Sequence, residues 1–458
     1  MEQFPLLTHG ALDQVVAWRQ GQPVTVATFL ADVRQLALAL PAASHVFNAC
    51  ADRYRFTVAL AAALLGEKVS LLPPSQTPET VRQMKLFAPD VFCIADRPSA
   101  IDLPVFMYDG AALPREGPQQ AASGVPLLPA ERTMAYVFTS GSTGTPVAHR
   151  KTWGQMVRDV RAQAAILALP EGALPQVVGS VPPQHMYGIE STVLLPLQSG
   201  GALSSAHPFY PADICAALAD VPRPRILVTT PVHLRALLDA GVDVPAIDLV
   251  LSATAPLSAQ LAASAEARLN APLQEIYGST ETGQIASRRS TQTRQWTLLR
   301  GISLGQRGDR FWASGGHVGP ATPLGDLLEL LPQGRFLLHG RTGDLVNIAG
   351  KRNSLGYLNH QLLAIQGVTD GTFFMPADEA ADGVTRLAAF AVAPGMTAMA
   401  LRAALRERID AIFMPRPLVL LARLPRDATG KLTRATIEML AAKYLRRGDA
   451  PGGNVDEA

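Results

Sequence analysis

One segment constrains this chain more than any other: a strand-like run that opens straight into a hydroxyl- and glycine-rich loop and then into an amphipathic helix. Met134 to Phe138 (MAYVF) reads as a strand, and Thr139-Ser140-Gly141-Ser142-Thr143-Gly144-Thr145-Pro146 follows it directly. A helix is expected from near Thr152, because Met156, Val157, Val160, Ala164 and Leu167 recur at three- and four-residue spacing. In such a layout backbone N–H groups and hydroxyls can wrap a polyphosphate, with glycine permitting close approach. Taken alone, the loop is equally a flexible surface turn. It is not a Walker A loop: GxxxxGK followed by Ser or Thr is absent, and Gly430-Lys431 has no glycine at the required upstream position.

Strand-like and helix-like runs alternate through most of the sequence, which predicts an α/β architecture with largely parallel sheets. Buried strands are expected at Ile226 to Val228, Leu249 to Leu251 and Leu273 to Ile276, each ending in small or polar residues of the kind that place ligands at strand ends. Phe56 to Gly66 (FTVALAAALLG) is about half the ~20 residues a membrane span needs, so a buried helix is expected. After Phe336 the glycines 340, 343 and 350 break up short apolar runs, and a domain boundary is placed there. Downstream, a strand at Leu387 to Val392 and a helix at Met399 to Ile412 suggest a small α+β domain.

Composition narrows the function classes. With 458 residues, 48% hydrophobic and 17% charged, the chain can bury two or three domains without disulfide or metal staples, and its composition argues against an intrinsically disordered chain. A net charge of +2 argues against a whole-chain grip on nucleic acid, while leaving room for a local phosphate patch. Cys50, Cys93 and Cys215 lie far apart and are odd in number, so a reducing, cytoplasmic setting is expected rather than a disulfide framework. The start, MEQFPLLTHGALDQ, lacks a basic region followed by an apolar stretch, so no targeting or integral membrane segment is expected.

A second element, Glu275-Ile276-Tyr277-Gly278-Ser279-Thr280-Glu281-Thr282-Gly283, sets an aromatic ring, hydroxyls and a carboxylate at a strand end, suited to ring stacking and Mg²⁺ ligation. With the hydroxyl loop, it resembles the AMP-forming adenylate-forming ligases: acyl-CoA synthetases, peptide-synthetase adenylation domains and luciferases. Further landmarks follow in family order. Leu324-Gly325-Asp326-Leu327 is similar to the TGD segment; Gly340-Arg341, Asp344 and Gly350-Lys351-Arg352 resemble GRxDDxxKxxGxR; and Leu424-Pro425-Arg426-Asp427-Ala428-Thr429-Gly430-Lys431-Leu432 resembles the terminal lysine motif.

The resemblance implies the family fold: packed mixed sheets with helices over residues 1–340 and a small mobile α+β domain over 341–447; the polar, glycine-rich end RRGDAPGGNVDEA is itself expected to leave a disordered tail over 448–458. It implies ATP and Mg²⁺ as cofactors. Thr139, Ser140, Gly141, Ser142, Thr143, Gly144, Ala255, Tyr277, Gly278, Ser279, Asp326 and Arg341 would bind the nucleotide, with Asp326 on the ribose hydroxyls and Glu281 on the metal. Lys431 would touch the substrate carboxylate and α-phosphate, and Thr280 would donate to that phosphate. His185, in Pro182-Pro183-Gln184-His185-Met186-Tyr187-Gly188, matches the position beside the acyl pocket that gates the thiol tunnel; a satisfied, partly buried histidine is the alternative.

Departures from the pattern matter as much. The phosphate loop usually ends in Pro-Lys-Gly, yet Pro146 is followed by Val147-Ala148-His149-Arg150-Lys151. Either Arg150 or Lys151 reaches the pyrophosphate instead, or phosphate binding is weakened, or the cluster is a solvated helix start. Gly343 stands at the usual Asp hinge and Asn347 at a common lysine, while Ala253 and Thr254 replace the glycines of the SGGAP turn, implying a narrower acyl pocket. These features resemble the small standalone ligases of aryl polyene pigment pathways. That implies loading of an aromatic acid, such as a hydroxybenzoate or hydroxycinnamate, onto a separate holo-acyl carrier protein, with Lys443, Arg446 and Arg447 as a docking patch or merely a solvated helix end. CoA is the rival acceptor, and a nucleotide-binding pseudoenzyme the rival of another class.

Overall fold

The computed structural model describes residues 2–73, 75–108, 124–139, 146–167, 169, 172–308, 310–341, 345–348, 351–376, 386–427, 430 and 432–444. Among these, the largest sheet has eleven strands, in the order Asp326–Leu331, Arg335–Arg341, Trp296–Leu298, Gly283–Arg288, Leu273–Ser279, Leu249–Ser252, Arg225–Thr229, Gln176–Gly179, Ala202–Ser204, Val15–Arg19 and Gln22–Thr25. Its centre, from Leu273–Ser279 across to Val15–Arg19, is parallel, as the alternation of strand and helix signals predicts. A second sheet of six strands runs Val147–Thr152, Thr133–Thr139, Val69–Leu72, His45–Asn48, Phe92–Ala95, Val105–Met107.

The core between these sheets explains the continuous apolar run near the start. Val16, Ala17 and Leu203 from the larger sheet and Val46, Leu72, Ile94 and Val137 from the smaller one join a single buried cluster with the helix Arg53–Leu65. A helix covered on both sides has no polar face to keep, so its apolar residues need no period. Among the described residues, no helix is long and apolar enough to cross a membrane.

The strand Thr133–Thr139 and the helix Trp153–Ala164 flank the phosphate-type loop as the sequence predicts. The helix starts on a reciprocal cap: Thr152 Oγ1 accepts from Gln155 N at 3.3 Å and Gln155 Oε1 accepts from Thr152 N at 3.1 Å. One expectation needs correcting between them. Val147–Thr152 is not a helix start but a strand, antiparallel to Thr133–Thr139, so His149 and Lys151 share one face and Arg150 takes the other.

A separate apolar cluster includes Val346, Leu358, Leu362, Phe373, Ala389, Leu401, Leu405 and Phe413. Here a three-stranded sheet, Asp370–Phe374, Ala388–Val392 and Leu418–Leu420, packs with the helices Leu355–Leu363 and Ala398–Arg406. The helix expected to reach Ile412 stops at Arg406. A 3-10 turn, Ala411–Phe413, capped by Asp410, takes over and delivers Phe413 to the core.

Candidate active site

The hairpin between Leu273–Ser279 and Gly283–Arg288 carries the candidate site at its tip, and two glycines make its tightness possible. A Cβ at Gly278 would fall 2.2 Å from Gly283 O, and one at Gly283 would fall 2.3 Å from Asp159 Oδ2. Gly283 also has φ +72°, a conformation that costs glycine nothing. Ser279 and Thr282 brace the tip: Thr282 Oγ1 accepts from Ser279 N at 3.2 Å, and Ser279 Oγ accepts from Thr282 N at 3.3 Å. Thr280 and Glu281 are thereby presented at the turn.

The Glu281 carboxylate is partly exposed, with Oε1 3.6 Å from His149 Nε2. Burial pushes its pKa up, but hydrogen bonds from its own N–H and from Ser279, with the charges of His149 and Lys151, outweigh burial and hold it below the ordinary range. It is ionised at neutral pH. The His149 ring also lies 2.9 Å from Thr139 Oγ1, joining the end of the strand before the phosphate-type loop to the hairpin tip. Burial depresses the pKa of His149, against the attraction of Glu281.

Behind the tip lies a polar cluster unforeseen in the sequence. Lys151 is buried and its Nζ donates to Glu281 O at 3.1 Å. Burial lowers its pKa, while Glu190, Asp159 and Glu281 pull it back up. Glu190 is fully enclosed, and burial, together with the charge of Asp159, raises its carboxyl well above the ordinary range. Gln284 donates from Nε2 to Glu190 Oε2 at 3.3 Å and from its main-chain N to Asp159 Oδ2 at 3.3 Å. Arg150, by contrast, is exposed on the opposite face, donating to Thr133 Oγ1 at 2.8 Å and Glu131 O at 3.0 Å. The one available signal was Glu190 itself, a lone charge in the apolar run from Met186 to Leu197.

Tyr277 and Asp326 meet: the phenol donates to Asp326 Oδ2 at 2.7 Å, and the ring packs at 5.5 Å against both Trp296 and Phe336. The main chain of Arg341 pairs with Asp326 in the adjoining strand, while the Arg341 side chain lies outside the described residues. Ser140, Gly141, Ser142, Thr143, Gly144, Asp344, Gly350, Lys431, Arg446 and Arg447 also lie outside them.

A small cleft opens beside these elements, lined by Val181, Pro182, His185, Tyr187, Thr230, His233 and Thr254, with Gly188. Its walls are tied down. Gly188 approaches Pro182 so closely that a Cβ there would fall 1.9 Å from Pro182 O. His233 Nδ1 lies 3.0 Å from Ser180 Oγ, itself 2.8 Å from Thr229 Oγ1. Arg53, wholly buried, donates to Gly179 O at 2.7 Å and Val181 O at 3.1 Å, and burial brings its pKa down to about 9. His185, half-buried, stands at the start of the helical turn Met186–Gly188 and lines this cleft. Ala255 lies one residue beyond Thr254 in the same turn.

The carboxy-terminal loop reaches this cavity. Gly430, at φ +77°, is buried so that a Cβ there would lie 3.3 Å from Val232 Cγ2 and 3.4 Å from Thr230 Oγ1. Arg426 holds the loop: it donates from Nε to Asp370 Oδ2 at 2.9 Å, from Nη2 to Asp370 Oδ1 at 2.6 Å and from Nη1 to Gly430 O at 2.9 Å. The residue preceding Lys431 therefore sits against a cavity-lining threonine.

The strand-end hairpin with its ionised carboxylate, the tyrosine–aspartate pair and the small cleft beside them form the candidate active site. The chain belongs to the AMP-binding enzyme family, whose pattern matches residues 9–358. It is an AMP-forming acid–thiol ligase that adenylates a carboxylic acid with ATP. It is 33% identical over 286 residues to a 4-coumarate–CoA ligase of Rhodobacter capsulatus, covering 61% of this chain and 69% of that protein. A 4-coumarate–CoA ligase of Halorhodospira halophila is 29% identical over 309 residues, covering 64% and 73%. The fold is that of the adenylate-forming ligases: ATP-bound MatB from Rhodopseudomonas palustris superposes with a TM-score of 0.79 at 18% identity, covering 95% of this chain and 97% of that one. MenE from Bacillus subtilis, in complex with its acyl-adenylate OSB-AMP, gives 0.78 at 18% identity, covering 96% and 99%.

Proposed function

We propose that the chain activates an aromatic carboxylic acid, such as a hydroxybenzoate or hydroxycinnamate, as acyl-AMP, and passes the acyl group to a phosphopantetheine thiol on a separate holo-acyl carrier protein. CoA is the second reading, favoured by the names of the curated relatives. The observation that carries the aromatic reading is the cavity, small and walled by two imidazoles, a tyrosine and a proline, which suits a flat ring better than a long chain.

In the first half-reaction a carboxylate oxygen attacks the α-phosphorus of ATP and the bond to pyrophosphate breaks, so negative charge builds on phosphate oxygens and leaving group. Fixed donors and cations lower that barrier. Lys431 is the cation assigned to the carboxylate and α-phosphate, supported by the packing of Gly430 on Thr230. Thr280 is the donor to the phosphate. The partly exposed, ionised Glu281 would hold Mg²⁺, which would there neutralise charge on the phosphates. Asp326, oriented by Tyr277, is assigned to the ribose hydroxyls.

In the second half-reaction the thiolate attacks the acyl carbon and AMP leaves. We assign residues 341–447 to a domain that turns between the steps about the hinge at Gly343, with His185 at the thiol entrance. A pyrophosphate-release assay over aryl and fatty acids, repeated with CoA and with holo-carrier, tests the scheme. Aryl acids should release pyrophosphate, and turnover should continue with holo-carrier. Preference for fatty acids would overturn the substrate class, and turnover with CoA alone would overturn the carrier.

A further inference from the structure

We infer that Asp159 is a positioning residue for the nucleotide: one buried carboxylate that fixes the helix behind the phosphate-type loop, the hairpin of Glu281 and the turn leading to Asp326 relative to one another. The inference rests on the assignment of Thr280, Glu281 and Asp326 to the nucleotide, and its experiment separates the two.

Asp159 lies on the buried face of the helix Trp153–Ala164, beside Met156, Val157 and Val160, and is 1% exposed. An acid in that place is costly, because a carboxylate out of water needs donors or cations facing it. Among the described residues, the basic side chain within ion-pair range of it is the buried His317 ring, with Nε2 3.6 Å from Oδ1. Replacing a buried charged group by a well-packed apolar one is often neutral or stabilising, so packing gives no reason for an acid here. Its contacts do.

The two oxygens face different elements. Oδ2 accepts from Gln284 N at 3.3 Å and fills the space a side chain would need at Gly283, where a Cβ would fall 2.3 Å from it. The hairpin tip is therefore held on both sides, since Lys151 Nζ donates to Glu281 O and Asp159 takes Gln284 N. Oδ1 faces His317 in the turn between the strands Arg310–Gly315 and Gly319–Leu324. The second of these strands runs on through Gly325 into Asp326–Leu331, whose first residue accepts from the Tyr277 phenol. Neither Oδ1 nor His317 Nε2 has a hydrogen-bond partner among the described residues. Buried polar atoms are costly to leave unpaired, and a shift of about 0.5 Å would pair these two, so the turn is drawn toward the carboxylate.

Asp159→Asn keeps the shape and an acceptor oxygen for Gln284 N, while Asp159→Ala removes both contacts. Three quantities should be measured together: the Kd for ATP with Mg²⁺ by calorimetry, the KM values for ATP and for the acid that supports pyrophosphate exchange, and thermal unfolding. Asp159→Ala should raise the Kd and the KM for ATP by about tenfold or more, the scale on which loss of an orienting partner acts, and leave the KM for the acid within about twofold. Asp159→Asn should return the ATP constants to within about threefold of the parent. If the alanine variant does not fold, Asp159→Ser carries the test, because its hydroxyl keeps the place polar but falls short of both partners. A lower unfolding temperature with unchanged ATP constants means a structural role alone and overturns the inference. Equal rises in the KM for ATP and for the acid overturn it as well. Glu281→Ala and Asp326→Ala are measured beside it. If both leave the Kd for ATP unchanged, the assignment of the nucleotide site fails and the inference with it; if they raise it and Asp159→Ala does not, the inference alone fails.

Discussion

The ammonium of Lys151 donates to the main-chain oxygen of Glu281 at 3.1 Å, so a lysine from the strand behind the phosphate-type loop holds the hairpin tip from below. The family pattern that the sequence resembles has a lysine after Pro146, where this chain has Val147. Lys151 is buried, and the charges of Glu190 and Asp159 act on its ammonium. Its part is to fix where Glu281 stands.

Lys151→Met should therefore weaken ATP use and stability together. Losing the hydrogen bond from the buried ammonium to Glu281 O should cost about 1.5–3 kcal/mol, read as a lower midpoint in urea unfolding. Arg150→Ala is the control: on the exposed face it should leave the KM for ATP within about twofold and the midpoint unchanged.

Glu190 supplies a pH signature. Its folded pKa is raised, so between the ordinary value of 4.5 and the folded value the unfolded chain has lost a proton that the folded chain retains. Stability must then fall as pH rises from about 4.5, by up to ~1.4 kcal/mol per pH unit from this group. Glu190→Gln should flatten that decline, as denaturant midpoints from pH 5 to 8 will show. An unchanged slope would mean Glu190 is ionised in the folded protein.

Arg426 is a positioning residue for the loop that ends in Lys431, through Asp370 and Gly430 O. Arg426→Ala should lower kcat for pyrophosphate release by about 10²-fold, since small misplacements of a catalytic group cost that much. Thioester formation from supplied acyl-AMP should change far less, and Arg426→Lys should restore only part, having one donor site where the arginine has a fork.

Lys431→Ala should abolish adenylate formation and leave thioester formation from supplied acyl-AMP largely intact. Quenched-flow measurement of the two half-reactions separates them. Equal loss in both would remove Lys431 from its assigned role.

The strand before the loop, the capped helix after it and the parallel strands at 225–229, 249–252 and 273–279 were legible because local period and small strand-end residues mark them. The strand at 147–152 was not, because VAHRKT has no apolar alternation: its buried face carries a histidine and a lysine, whose burial only the hairpin opposite explains. Arg426 and Asp370 lie 56 residues apart, and no spacing rule couples them. Glu190 shows the intermediate case, detectable as an anomaly in an apolar run but without a partner until Asp159 and Gln284 are seen beside it.

The central claim is that this chain makes an acyl adenylate from an aromatic acid. Acid-dependent exchange of labelled pyrophosphate into ATP measures that step alone, without any thiol acceptor. Exchange that requires an aryl acid and vanishes in Lys431→Ala is the predicted result. ATP binding with no exchange under any aryl acid would contradict the account.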